Sequence, residues 1–206
     1  MRRALAVLSL ILWAGAGQAQ DLPALFDVTG VAADDVLNVR LRPDASALPI
    51  GALPHDARFV EGIRRSDDGR WTLVNTGESA GWVASRFLAR QPGQTRLVGR
   101  PMLCSGTEPF WSLDIPNGGP LILSMPAGPP QRMARGNWRL SENRTDTSLL
   151  VAEATGNRLT PGLSAVIARA ECSDGMSDFA YGLSINLILH GIGGQRLMSG
   201  CCSLGH

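Results

Sequence analysis

The stretch "LSINLILHG", residues 183–191, decides the fold of the C-terminal half of this chain. Apolar and polar residues alternate along it, so that every second side chain lies on the same face. The apolar face carries Leu183, Ile185, Leu187 and Leu189. A period of two residues is typical of a β-strand with one face buried and the other in solvent. The stretch therefore predicts a long strand on the wall of a β-structure.

Other segments between residues 102 and 206 repeat this alternation. In "FWSLDIP", residues 110–116, Trp111, Leu113 and Ile115 share one face. Further strands are predicted at "PLILSMP", "GNWRLS", "TSLLVAEA", "LSAVIARAE" and "RLMSGCC". No segment shows an apolar stripe of period 3.6 over the length of a helix. About seven antiparallel strands in this half predict a β-barrel or a β-sandwich.

Residues 24–90 are also predicted to be β-structure, in shorter strands bounded by Gly, Pro, Asp and Asn. Asp68-Gly69 suits a tight turn, because Gly tolerates the positive φ that such turns need. A segment of this size buries little core, so a small closed barrel is expected. Residues 91–101, "QPGQTRLVGRP", have the composition of a linker. The predicted fold class is all-β, with a small closed barrel followed by a second antiparallel barrel or sandwich.

Three recurrent motifs follow one another in residues 25–90. They are "LNVR" with a following Pro, the Trp-x-x-Val strand in "RWTLV", and "GWVASRFL". This segment resembles a bacterial SH3 domain, which implies that the first of the two β-units is a small SH3-like barrel. The resemblance implies an envelope-associated module that attaches to peptidoglycan or to its peptides. Within it, Trp82 is either a candidate ligand platform or a core residue, whereas Trp71, which alternates with Leu73, is expected in the core.

The stretch "ARAECSDGMSDFAYG", residues 168–182, is rich in groups that carry chemistry. It connects two predicted strands, and Asp174-Gly175 is a turn signal. Its thiol and thioether select soft metal ions while its carboxylates select hard ones, so we expect no metal site here. Acid–base chemistry by Asp174, Asp178 or Glu108 is the less favoured alternative, since loop carboxylates usually cap turns or face solvent.

All four cysteines lie in the C-terminal half: Cys104, Cys172, Cys201 and Cys202. An even number in an exported chain predicts disulfides. The adjacent Cys201 and Cys202 would form a strained ring with each other. We therefore expect Cys104 and Cys172 each to pair with one of them, in either of two arrangements.

The motifs "CSGTEPFWSLDI", "ECSDGMSD…Y" and "GCC" across residues 104–202 resemble a widespread, uncharacterised domain of exported bacterial proteins. That resemblance brings no ligand or activity. The expected disulfides would gather Glu108, Trp111, Asp174 and Asp178 near one rim of the domain. We regard these four residues as a candidate ligand-binding patch, with no catalytic residue, metal or cofactor assigned. The alternative is that Glu108 satisfies backbone donors and Trp111 is a core residue.

The first residues predict where the protein acts. "MRRALAVLSLILWAGAGQAQ" has two arginines, an apolar run and small residues up to Ala19, as in a secretory signal peptide of residues 1–19. A retained N-terminal anchor is the alternative. Cleavage would leave a periplasmic or secreted protein with no membrane span and would change its formal net charge of +1 to −1.

The composition excludes some chemistry. All 19 basic residues are arginines, so a lysine Schiff base or a lysine general base is excluded. A near-neutral chain has no electrostatic footprint for nucleic acid. We therefore expect a non-enzymatic envelope-associated protein whose partner is cell wall peptidoglycan or an envelope protein. The alternative is an exported copper-handling protein or hydrolase that uses the second domain.

Overall fold

A computed structural model describes residues 22–94, 96–134, 136–153, 155, 162–191 and 194–205. The predicted signal peptide, residues 1–19, lies outside the described residues. The described part of the chain is built from β-strands, with one short 3₁₀ turn at Ser85–Phe87, so the prediction of an all-β fold is confirmed. Within these residues, no helix has the length and apolar character needed to cross a membrane.

The N-terminal unit contains eight strands. They are β1 (Ala24–Val28), β2 (Val36–Arg40), β3 (Pro49–Pro54), β4 (Val60–Gly62), β5 (Arg64–Arg65), β6 (Trp71–Thr76), β7 (Ser79–Ala84) and β8 (Leu88–Arg90). Five strands form one antiparallel sheet in the order β3-β2-β7-β6-β5, and three form another in the order β4-β1-β8. A small aliphatic cluster that includes Val28, Val39, Val74 and Val83 fills the space between them.

The C-terminal unit contains nine strands in one antiparallel sheet. They are β9 (Met102–Thr107), β10 (Phe110–Ile115), β11 (Leu121–Ser124), β12 (Gln131–Met133), β13 (Asn137–Leu140), β14 (Thr147–Ala152), β15 (Gly162–Cys172), β16 (Tyr181–Gly191) and β17 (Gly194–Leu204). Their order is β12-β11-β10-β9-β17-β16-β15-β14-β13. The sequence had indicated about seven strands; it missed β9 and β12.

This sheet curls around a single core. All four apolar residues of the β16 pattern are buried, as the alternation predicts, and strands from both ends of the sheet contribute to the same cluster. Near the two edges, the Ala134 N–H donates to the carbonyl of Glu153 at 2.9 Å. The sheet thus curves so that its apolar face encloses the core. Its other face lies towards solvent and towards the N-terminal unit.

The segment predicted as a linker is packed between the units. Gln94 is buried, and its side chain binds the backbone of Leu25 twice: it accepts from the N–H at 2.6 Å and donates to the carbonyl at 2.7 Å. Leu97 is buried in the core of the C-terminal unit, and so is Leu25 itself. Residues 91–101 therefore join the two units into a continuous packed structure.

The five-stranded sheet packs its outer face against the loop that precedes β16. The carbonyl of Asp178 accepts the Ala80 N–H at 3.0 Å. The Asn75 amide donates to the Ala180 carbonyl at 2.9 Å and accepts the Ala180 N–H at 3.0 Å. Leu73 and Trp82 lie beside this contact, in a second apolar cluster that Ala180 covers. The central strands of this sheet therefore bury both of their faces.

Candidate functional site

Two disulfides tie the strands of the C-terminal unit together: Cys104–Cys202 and Cys172–Cys201. Successive residues of a strand point to opposite faces, so the vicinal cysteines of β17 reach different partners. Cys202 faces Cys104 directly across the β9–β17 ladder. Cys201 bonds to Cys172, at the end of β15 and on the far side of β16. This is one of the two predicted arrangements, and it indicates an oxidising, non-cytoplasmic compartment.

Asp174 forms the turn that its sequence predicts. Its Oδ1 accepts the N–H groups of Met176 at 3.0 Å and Ser177 at 2.9 Å. Its Oδ2 accepts the Ser177 hydroxyl at 2.7 Å and the Tyr181 hydroxyl at 3.3 Å. These hydrogen bonds, those from Ser177 first, lower the pKa of Asp174 to about 2. A carboxylate whose oxygens are already occupied is a turn cap and a poor general acid.

Trp111 and Asp174 border the same groove, of about 520 Å³. Trp111 is buried, and Gly106 and Gly200 make room for its ring, since a Cβ at either glycine would overlap it. The groove walls are more exposed: Phe110 and Met176 are 56% and 68% accessible. Two of the four residues of the predicted patch therefore meet at an apolar groove.

The other two residues of that patch lie elsewhere. Glu108 is exposed in the turn between β9 and β10, next to the groove but not in its wall. Asp178 has an exposed side chain and uses its backbone to pair with Ser79 of the N-terminal unit. The patch predicted as a single rim is divided between a groove, a turn and the contact between the units.

The structure buries Trp82, which is one of its two predicted alternatives, and leaves Trp71, predicted in the core, partly exposed while it packs against the same apolar cluster. Trp82 is 8% exposed, with the Arg64 guanidinium 4.8 Å from the centroid of its ring. It packs with Leu73 under the C-terminal unit, so its ring offers no open platform. Trp71 is half-buried instead. It begins β6, beyond the part of the strand that contacts the C-terminal unit, and this position leaves its ring partly uncovered.

Trp71 lies between two adjacent depressions on the N-terminal unit, of about 260 and 370 Å³. Both are bordered by Ala45, Ala84 and Arg86 in addition to Trp71. The Arg86 guanidinium stacks 4.5 Å from the centroid of the Phe87 ring. We call this surface the Trp71 groove. The Trp71 groove combines an aromatic ring with a guanidinium. Trp71 differs from Trp82 in exposure because the C-terminal unit covers Trp82 and leaves Trp71 partly uncovered.

Glu61 is a titratable group at the contact between the units. It projects from β4, and its Oε1 accepts the Leu204 N–H of β17 at 3.1 Å. Burial raises the pKa of Glu61 to about 7, against the smaller opposing effects of this hydrogen bond and of Arg100. Its charge therefore changes near neutral pH, which the sequence alone did not indicate.

Metal ligands are not grouped in the described part of the chain: no three His, Cys, Asp or Glu side chains come together there. All four cysteines are in disulfides, so none offers a thiolate. Searches for similar proteins among family models, curated proteins and solved structures found no match to this chain. The chemistry of the grooves is therefore interpreted from their own residues.

Proposed function

We propose that this protein is a non-enzymatic, envelope-associated protein of the periplasm. In this proposal residues 25–90 are an SH3-type module that binds peptidoglycan through the Trp71 groove, and the C-terminal unit is a disulfide-bonded β-domain joined to it. The observation that carries the proposal is the pairing of a partly exposed tryptophan with Arg86 on one open surface.

The chemistry of this surface suits a wall peptide. An aromatic face stacks on sugar rings and on apolar side chains. A guanidinium binds a carboxylate through two parallel hydrogen bonds, and peptidoglycan peptides carry free carboxylates. Arg40 lines the same surface, and its guanidinium is oriented by donation to the Ala47 carbonyl at 2.7 Å. The two disulfides support an oxidising location, as a periplasmic protein requires.

The alternative functions have no comparable support. Copper handling through thiolates needs reduced cysteines, whereas all four are bonded in pairs. Acid–base catalysis by Asp174 needs a carboxyl group that exchanges protons near neutral pH, whereas this carboxyl has a pKa of about 2. No observation favours either alternative over a binding role.

Co-sedimentation of the purified exported chain with insoluble peptidoglycan tests the proposal. We expect the wild-type protein to sediment and Trp71→Ala to bind at least about ten-fold more weakly, as a central aromatic contact does. Trp138→Ala is the matched control, because Trp138 is a half-buried tryptophan on β13 of the other unit. Arg86→Gln should also weaken binding, whereas Arg196→Gln, an exposed arginine on β17, should not.

Two results would contradict this function. One is a folded wild-type protein that stays in the supernatant at low salt, which would leave an envelope protein as the partner to be sought. The other is equal sedimentation of Trp71→Ala and Trp138→Ala, which would move the binding surface away from the Trp71 groove. Circular dichroism of each variant establishes that the comparison is made between folded proteins.

A further inference from the structure

A row of three serines crosses the outer face of the sheet of the C-terminal unit. Ser112 of β10 pairs with Ser105 of β9 on one side and with Ser124 of β11 on the other. Directly paired residues of an antiparallel ladder point to the same face and lie roughly 5 Å apart. This face is the outer one, because Leu113, the next residue of β10, is buried in the core. We call Ser105, Ser112 and Ser124 the serine row.

The serine row lines the groove of about 520 Å³ that Trp111 and Asp174 border. Phe110, two residues before Ser112 on β10, lies on the same face and lines the groove with its exposed side chain. Met176, which is also exposed, adds a thioether to the wall. The groove therefore combines a row of hydroxyl groups with an aromatic ring and a flexible apolar side chain.

The loop that carries Met176 is held in place at several points. The Cys172–Cys201 disulfide ties its start to β17. The Thr107 hydroxyl donates to the carbonyl of Asp174 at 3.1 Å, and the Asp174 side chain accepts the Met176 N–H at 3.0 Å. A wall that is ordered before a ligand arrives reduces the conformational entropy lost on binding. The groove is therefore suited to bind a small ligand in its present shape.

The lining of the groove is almost free of charge. It continues into an adjoining depression of about 260 Å³, which Ser184, Asn186 and Ser199 line with uncharged polar groups. Among the described residues that line either space, only Asp174 carries a charge. Its carboxylate already accepts four hydrogen bonds within its own turn. With no arginine or histidine among these residues to pair with a phosphate or a carboxylate, the lining favours an uncharged ligand.

Two kinds of uncharged ligand fit this surface poorly. A purely apolar molecule would cover the serine hydroxyls without offering them hydrogen bonds, which costs free energy. An extended peptide gains main-chain hydrogen bonds at an open sheet edge. Strands β9, β10 and β11 are interior strands, each paired on both sides, so they offer no such edge here. A ligand that fits must bring both an apolar face and hydroxyl groups of its own.

We propose that this groove binds an uncharged saccharide, with one face of a sugar ring against Phe110 and its hydroxyl groups on the serine row. The faces of a sugar ring present C–H groups, which pack well on an aromatic ring. Sugar hydroxyls both donate and accept hydrogen bonds, as serine hydroxyls do. Met176 supplies an adaptable apolar contact beside them. The site lies on the C-terminal unit and does not depend on the Trp71 groove.

Titration of the purified, isotopically labelled exported chain, followed by NMR of the backbone amides, tests this site with three uncharged probes in separate experiments. Two probes are sugars, triacetylchitotriose and cellotriose, and the third is N-acetylphenylalanine amide. We expect at least one sugar to bind, to shift the amide signals of Ser105, Ser112 and Met176, and to keep its affinity when sodium chloride is added, because the ligand is uncharged.

Three results in this titration would overturn the proposal. The first is an absence of shifts with both sugars in the folded wild-type protein. The second is tighter binding of N-acetylphenylalanine amide than of either sugar, which would assign the groove to an apolar side chain of a peptide. The third is sugar binding that shifts other parts of the molecule and leaves Ser105, Ser112 and Met176 unchanged.

Variants test the two contacts that define the site. Phe110→Ala should weaken sugar binding about five-fold or more, as loss of a central aromatic contact does. Leu140→Ala is its control, because Leu140 is an exposed apolar residue of β13 that does not line the groove. Ser112→Ala should weaken binding about three-fold or more, since it removes the central hydroxyl of the serine row. Its control is Ser164→Ala, a half-buried serine of β15. Unchanged affinity in a folded Phe110→Ala protein would refute the site.

This site and the proposed peptidoglycan function can fail separately. Trp71→Ala should leave the affinity for the soluble sugar unchanged, because Trp71 lies on the other unit and does not line this groove. Loss of sugar binding in a folded Trp71→Ala protein would move the saccharide to the Trp71 groove and refute its assignment to the serine row.

Discussion

Glu61→Gln isolates the effect of ionising one carboxyl group at the contact between the two units. The Glu61 carboxyl accepts the Leu204 N–H at 3.1 Å, and burial raises its pKa from an ordinary 4.5 to about 7. A glutamine at this position keeps an oxygen that accepts the same hydrogen bond but carries no charge at any pH. The difference between the two proteins therefore reports the cost of ionising one side chain.

The sign of the effect follows from the two pKa values. Below the unfolded value of 4.5 the carboxyl is protonated in both states, and it contributes nothing to the pH dependence. Between 4.5 and about 7 the unfolded chain loses the proton while the folded chain retains it, so the free energy of unfolding falls as pH rises. Above about 7 the loss is complete. At roughly 1.4 kcal/mol per pKa unit, the upper limit of this loss is about 3 kcal/mol.

Urea unfolding with intact disulfides, followed by tryptophan fluorescence between pH 4 and pH 8.5, measures this quantity. Relative to wild type, Glu61→Gln should gain up to about 3 kcal/mol in free energy of unfolding across this range. Glu78→Gln, an exposed glutamate in the turn between β6 and β7, is the matched control and should show no such trend. A difference between Glu61→Gln and wild type that is independent of pH would refute a desolvated carboxyl at this contact.

Two further substitutions test the C-terminal unit. Gly106→Ala places a Cβ against Trp111 Nε1 and the Ser199 carbonyl, and we expect it to lower the free energy of unfolding by about 1–3 kcal/mol. Gly162→Ala places its Cβ 3.3 Å from the Ala152 carbonyl oxygen, which is tight but less severe, so it should cost less. Equal costs in urea unfolding would contradict the tight packing of Trp111. Asp174→Asn removes a carboxylate whose pKa is lowered to about 2, so it should destabilise the protein by about 1 kcal/mol near neutral pH, after allowance for solvent screening. That difference is present above pH 3.8 and should disappear as pH falls through about 2; persistence in strong acid would show that the carboxylate charge is not its source.

The sequence predicted those strands of the C-terminal unit in which apolar and polar residues alternate regularly. In such strands one face packs on the core and the other does not. β16 is such a strand, and its four alternating apolar residues are all buried. β9 was missed because "MLCSGT" mixes small and polar residues that read as a turn. In the structure, Gly106 of this strand has no side chain because the Trp111 ring occupies that space. The need for a glycine at position 106 comes from a side chain of the neighbouring strand, so the local sequence pattern does not show it.

The two tryptophans of the N-terminal unit show a different limit of sequence reasoning. Alternation correctly puts Trp71 and Leu73 on the same face of β6, and this was interpreted as the interior of a small barrel. That face is instead the outer one, which the C-terminal unit covers over Leu73 and Trp82 but not fully over Trp71. A strand pattern gives the face of a residue, whereas burial on the outer face depends on what packs against the sheet.

The contact between the units is thus the feature from which most of the unpredicted chemistry arises. Gln94, in the segment that joins the units, binds the backbone of Leu25 through two hydrogen bonds, and Glu61 of the N-terminal unit accepts a hydrogen bond from Leu204 of the C-terminal unit. This packing brings Arg65 and Arg169 to one cavity although they are far apart in sequence. The Trp71 groove needs only N-terminal residues, so we expect ionisation of Glu61 to weaken the contact between the units without changing peptidoglycan affinity measured across neutral pH.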